Sequence, residues 1–285
     1  MKVGIDLLLW TDCPTAREHG SLLEKIKSWG YDGVELMVGA MQPDDIRQLS
    51  GLADDLELGR TAIMVLGADN ADPAAADPAL RQAAVEEIKR VADLTRDFGA
   101  TVLAGPLFQG LGRFSGAGPT ENEWQWAVDT IRQAGEYAAN AGVRLALEPL
   151  NRFEMYMVNT MADGVRFVKD VGLDNVGLLA DTHHGNIEEN NTAVAWKAAA
   201  EHIFHVHISE NHRGTPGSGH AIPPEIFTTL SDAGYDGWLT IEAFGTSVPS
   251  LIPMLNLWRS YADSEEEIAR LGLQYIQKNL HNITA

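Results

Sequence analysis

With 285 residues the chain is long enough for one large domain around a continuous buried core. Its 21 Lys and Arg stand against 40 Asp and Glu, a net charge of −19 with no basic cluster to offset it, which argues against nucleic acid and anionic membranes as partners. A hydrophobic share of 45% excludes disorder for most of the chain, and the single Cys13 excludes an internal disulfide or a thiolate zinc cluster, so a reducing cytoplasm is the expected location.

The first apolar segment, Val3–Trp10, is short, carries Asp6 and leads into no small-residue cleavage site, so it reads as a strand and not as a secretion signal. Seven further strands are expected at Gly33–Val38, Gly59–Leu66, Thr101–Leu107, Arg144–Leu150, Val176–Asp181, Ile203–Ser209 and Trp238–Phe244. Helical periodicity fills every interval between them. Three approaches to strands run helix end, Gly, strand: Trp29-Gly30-Tyr31, Phe98-Gly99-Ala100 and Ala233-Gly234-Tyr235, as expected where Gly caps a helix in the left-handed conformation. No apolar run approaches the roughly 20 residues of a membrane span. Eight βα units predict a (β/α)₈ barrel forming a single domain over residues 1–285, since right-handed crossovers between parallel strands can close the sheet. A doubly wound sheet uses the same alternation and is the rival. The Ala/Asp/Pro-rich stretch Gly67 to Pro78 falls after the third strand, where a barrel carries a loop of its functional face.

Barrel chemistry comes from the C-terminal ends of strands. The fifth strand carries Glu148, the sixth ends in Asp181, the seventh holds His205-Val206-His207 and the eighth carries Glu242; successive candidates lie 33, 26 and 35 residues apart, each about one βα repeat. Singly, each is explained as a helix cap or a hydrogen-bonded core residue. Together, three carboxylates and an imidazole at matching heights on one rim point to a divalent cation, and the donor set suits Mn²⁺, Mg²⁺ or Co²⁺ better than structural Zn²⁺. His205 shares the face of His207 one layer down and is expected inside the barrel, orienting a ligand. Pro149 keeps Glu148 extended.

The segments Glu148-Pro149-Leu150-Asn151-Arg152-Phe153-Glu154, Asp181-Thr182-His183-His184-Gly185-Asn186 and His207-Ile208-Ser209-Glu210-Asn211-His212-Arg213-Gly214, with Ile241-Glu242-Ala243-Phe244-Gly245, resemble the ketose 3-epimerases of the xylose isomerase-like barrels. The resemblance implies Glu148, Asp181, His207 and Glu242 as ligands of one metal ion, Mn²⁺ first. It implies Glu154, His184 and Arg213 as contacts to a small-molecule sugar, and a homo-oligomer, dimer or tetramer. The implied reaction inverts carbon 3 of a free ketose through an enediolate, with Glu148 and Glu242 as acid and base on opposite faces. His183 and Gly185 depart from the family's Phe and Met, which bears on pocket shape. Strand parity alone would turn His183 inward with Asp181; His184 is expected instead, because the strand has ended by then.

Rival readings make distinct demands. An aldose-ketose or hydroxypyruvate isomerase, or an inosose dehydratase or isomerase, would use the same metal barrel. A noncatalytic sugar-binding barrel would use Trp10, Phe108 and Phe244 as stacking walls. The Gly-rich run Gly214 to Gly219 lies where some barrels bind phosphate, but it offers Arg213 and no lysine, which favours unphosphorylated sugars. No lysine falls at the C-terminal end of a strand, so a Schiff-base aldolase is excluded by placement. Trp124, Trp126 and Trp258 are read as helical and as candidates for burial between subunits.

Overall fold

The protein is described here by a computed structural model covering residues 1–284. Eight strands, β1 (Lys2–Asp6), β2 (Gly33–Met37), β3 (Gly59–Ile63), β4 (Val102–Gly105), β5 (Arg144–Leu147), β6 (Val176–Asp181), β7 (Ile203–Ile208) and β8 (Trp238–Ile241), pair in parallel in chain order, and β8 closes on β1. The helices are α1 (Ala16–Trp29), α2 (Pro43–Asp55), α3 (Pro78–Phe98), α4 (Glu121–Asn140), α5 (Met161–Val171), α6 (Thr182–Glu188), α7 (Thr192–Ala199), α8 (Glu225–Asp232), α9 (Leu251–Leu255) and α10 (Glu265–Thr284). The fold is the expected (β/α)₈ TIM barrel. Among the described residues no helix is long and apolar enough to cross a membrane.

Local chemistry sets the helix limits. Thr15 caps α1 by accepting the Glu18 N–H, Asp77 caps α3 ahead of Pro78, and Thr120 with Glu123 forms a reciprocal capping box on α4. Gly30, Gly99 and Gly234 all take positive φ between a helix and the following strand, as their placement in the sequence requires. Several predicted strands end early. Leu7–Leu9 form a 3-10 turn, because the Asp6 carboxylate accepts the Leu8 N–H at 2.8 Å and turns the chain while the leucines stay buried. A short buried apolar run looks the same in a strand and in a buried turn. Trp258 is a second correction: it lies outside any helix and is 71% exposed.

Alternation along the strands sends one set of side chains out to the helices and the other into the barrel. The outward set, including Ile5, Val34, Leu36, Leu103 and Leu145, joins the large core under the helices. Inside, Trp238 at the start of β8 fills the N-terminal end, and Gly33 and Gly59 leave room for it: a Cβ on either would lie 2.5 or 2.4 Å from the indole. Ile63, Val102, Ala104, Ala146 and Leu179 make an apolar middle layer. Buried polar side chains share the lumen with it, Glu35, Thr61 and His205 inside the barrel and Glu148, Asp181, His207 and Glu242 toward the C-terminal rim.

Candidate active site

Asp181 and His207 are register partners on β6 and β7. Glu148 and Glu242 follow β5 and β8 directly, and their own N–H groups extend the ladder to Gly105 O (2.9 Å) and Ile208 O (3.3 Å). The extended backbone carries both carboxylates to the rim. One ligand atom from each of these four buried residues lies within 4.8 Å of the others. Asp181 caps α6 with one oxygen, which accepts the N–H groups of His183 (2.5 Å) and His184 (3.2 Å), and turns the other into the cluster. His207 Nε2 lies 2.7 Å from Glu35 Oε1, so the ring nitrogen facing the cluster is Nδ1. That Nδ1 is buried without a hydrogen bond, 3.4 Å from Glu242 Oε1 and 3.8 Å from Asp181 Oδ2. An unbonded imidazole nitrogen among three carboxylates is a donor set that fits a divalent cation.

The charges are crowded. Burial and the neighbouring Glu242 push Glu148 well above the usual carboxylate range, and burial pushes Asp181 up to about 7 despite Arg213. Against burial, Arg213 and His207 hold Glu242 down at about 2. Repulsion of this kind is relieved by protons or by a cation.

Arg213 comes from the β7–α8 loop yet is buried. Its Nη1 donates to Glu242, to Ser209 Oγ (3.0 Å) and to Asp181 Oδ2 (3.3 Å), and its Nη2 sits 3.0 Å from His184 Nε2. Its backbone is left-handed at φ 61°, held from both sides by its N–H to Glu210 O (3.0 Å) and by the Phe244 N–H on its carbonyl (2.8 Å). His184 Nδ1 accepts the Asn151 N–H at 3.0 Å, and its Nε2, beside Arg213, lies 3.5 Å from Glu148 Oε1. Burial and Arg213 keep that ring neutral. Glu154 is half-buried and accepts from Asn151 Nδ2 at 2.7 Å. His184 is thus the residue brought to the cluster. His183 turns aside, its Nδ1 2.9 Å from Glu210 O, because the chain enters α6 at Thr182 and strand parity lapses.

Glu148, His207, Arg213, Glu242 and Phe244 line an inner pocket of about 70 Å³. It shares Glu154, Met37 and Leu251 with an outer vestibule of about 860 Å³, to which His183 and Phe153 also contribute. Phe108 is no stacking wall: it is fully buried, edge-on to Phe167 at 4.8 Å. The Gly-rich loop is not free for phosphate either. Buried Glu210 fills it, accepting the N–H groups of Gly217 (2.9 Å), Ala221 (3.1 Å) and Asn211 (3.2 Å).

Sequence reasoning overlooked Glu35 and Glu210, and used Asp6 only as evidence against a secretion signal. Glu35 had a visible signal, a lone carboxylate inside the apolar run Gly33-Val34-Glu35-Leu36-Met37. Glu210 had none, since acidic loop residues are ordinary.

Residues 23–279 match the family model described as xylose isomerase-like TIM barrel. The L-ribulose 3-epimerase of Mesorhizobium japonicum is 35% identical over 100% of this chain and 98% of its own length. The L-ribulose 3-epimerase of Methylomonas sp. is 29% identical over 98% and 97%. A solved structure of an L-ribulose 3-epimerase superposes with a TM-score of 0.93 at 33% identity, covering 99% of this chain and 95% of that one.

Proposed function

The chain belongs to the ketose 3-epimerases of the xylose isomerase-like TIM-barrel family, and from that premise we propose that it is a metal-dependent isomerase inverting carbon 3 of free ketoses. The convergence of Glu148, Asp181, His207 and Glu242 within 4.8 Å, with an unbonded imidazole nitrogen among them, is the observation that carries this reading. These four would hold one divalent cation, Mn²⁺ first, with Co²⁺ and Mg²⁺ also suited to the oxygen-rich set. A cation there polarises a ketose carbonyl and acidifies the adjacent C–H.

The residues supply the rest. Glu148 and Glu242 stand three strands apart around the rim, a placement that suits groups working on opposite faces of one substrate. One carboxylate takes the carbon 3 proton, the C–H electron pair passes into an enediolate, and the other carboxylic acid returns a proton to the opposite face. Arg213 and His184 would bind the oxygens of carbons 1 and 2, and Glu154 would accept from a hydroxyl. The occupation of the Gly-rich loop by Glu210 supports unphosphorylated sugars. We further take the chain as a single domain over 1–285, a dimer or tetramer, working in the cytoplasm.

The test is turnover of a panel of free ketoses in deuterated water by metal-loaded protein. Label at carbon 3 of the epimer is expected. Label at carbon 1 or 2 with aldose formation refutes the 3-epimerase reading in favour of an aldose-ketose isomerase, and no label with any ketose refutes catalysis on this class.

A further inference from the structure

Glu35 is fully buried on β2, yet its carboxylate meets β7. β2 pairs with β1 and β3, whereas β7 pairs with β6 and β8, so this contact crosses the barrel lumen. Oε1 lies 2.7 Å from His207 Nε2, and Oε2 lies 2.7 Å from His205 Nε2 and accepts the Thr61 hydroxyl at 2.7 Å. Thr61 is the register partner of Glu35 on β3, so the carboxylate is oriented from its own side before it reaches across. His205 stands edge-on to His207, ring centres 5.1 Å apart, and shares the same carboxylate. Three contacts thus define one rotamer of Glu35 and, through it, one orientation of the His207 ring.

From this geometry we infer that Glu35 is a positioning residue that holds His207 as the Nε2–H tautomer and presents its Nδ1 lone pair to the cation of the proposed site. The proton between an ionised carboxylate and Nε2 resides on the nitrogen, because the carboxylate has none to give. With the cation bound, the ring is neutral and its lone pair sits on Nδ1, the atom that faces Asp181 and Glu242 without a hydrogen bond. A carboxylate behind a ligating imidazole selects which nitrogen binds and raises its basicity. The inference rests on the metal reading above and concerns affinity for the ion, which is measured without substrate.

The experiment is calorimetric titration of Mn²⁺ into metal-stripped wild type and Glu35→Gln, with circular dichroism to establish that both are folded. The amide of Gln can turn its NH₂ toward Nε2 and so favour the wrong tautomer; the expected rise in Kd is about 10- to 100-fold. A purely structural Glu35 would lower Tm but leave Kd unchanged in folded protein, and that result overturns the inference. Should Glu35→Gln fail to fold, wild type labelled with ¹⁵N-histidine and loaded with diamagnetic Mg²⁺ decides the matter. His207 protonated at Nε2 and bare at Nδ1 supports the inference, and the reverse overturns it. Wild type that binds no divalent cation overturns the metal reading itself, and the inference with it.

Discussion

Replacing Glu210 by Gln tests how the β7–α8 loop holds Arg213. The Glu210 carboxylate receives three backbone N–H groups, Gly217 on one oxygen and Ala221 and Asn211 on the other, and it is almost wholly inaccessible to water. Gln keeps a single acceptor oxygen. Its better orientation retains the Ala221 and Asn211 bonds as neutral ones, weakened by about 1 kcal/mol each, and leaves Gly217 N–H facing an NH₂ group at about 1–3 kcal/mol. The loss is therefore about 3–5 kcal/mol, or roughly 6–10 °C in Tm at about 2 °C per kcal/mol for a chain of this size. Because Arg213 keeps its left-handed backbone through the Glu210 carbonyl, a loosened loop also displaces the guanidinium. A misplacement on the order of 1 Å lowers kcat/KM by up to about 100-fold. Scanning calorimetry and ketose turnover at 25 °C read the two effects. A variant with Tm within about 1 °C of wild type and unchanged kcat/KM would refute the account of this loop.

Glu148→Gln and Glu242→Gln should each lower turnover by about 10²-fold or more while the protein still binds Mn²⁺ detectably, since a base is removed and an oxygen donor kept; turnover within threefold of wild type in both would remove their acid/base role. Saturating Mn²⁺ should raise Tm, by about 2.7 kcal/mol of stabilisation at a hundred times Kd, and chelation should reverse it; a Tm indifferent to both contradicts the site. Mn²⁺ affinity should rise with pH, because Asp181, pushed up to about 7 in the metal-free protein, must lose its proton before the cation binds; titrations showing affinity flat or falling between about pH 6 and about pH 8 would contradict that proton release. Gly33→Ala should destabilise by about 1–3 kcal/mol, as its Cβ would sit 2.4 Å from Gly59 O and 2.5 Å from Trp238, and thermal melting checks it.

The sequence alone specified eight βα units and so predicted the barrel, because alternation of short apolar runs with amphipathic helices is local information. The pairing of β8 with β1 that separates the barrel from a doubly wound sheet belongs to the tertiary structure. Gly30, Gly99 and Gly234 marked helix ends, and one rule of handedness allows eight repeats to close. It also selected Glu148, Asp181, His207 and Glu242: in a repeating βα chain, residues one repeat apart at strand ends land on one rim wherever the strands sit. What crosses the lumen was another matter. Parity says that Glu35 and His207 both point inward, yet not that side chains 172 positions apart meet, since that depends on barrel closure and on the shear between strands. Strand ends likewise required the structure: Leu7–Leu9 are apolar enough for a strand, and only the Asp6 carboxylate, turned back on Leu8 N–H, makes them a turn. Loops were least legible. Periodicity lapses there, so the burial of Glu210 beneath backbone amides and the entry of Arg213 among three carboxylates were decided by tertiary contacts, which supply the partners that a buried charge must have.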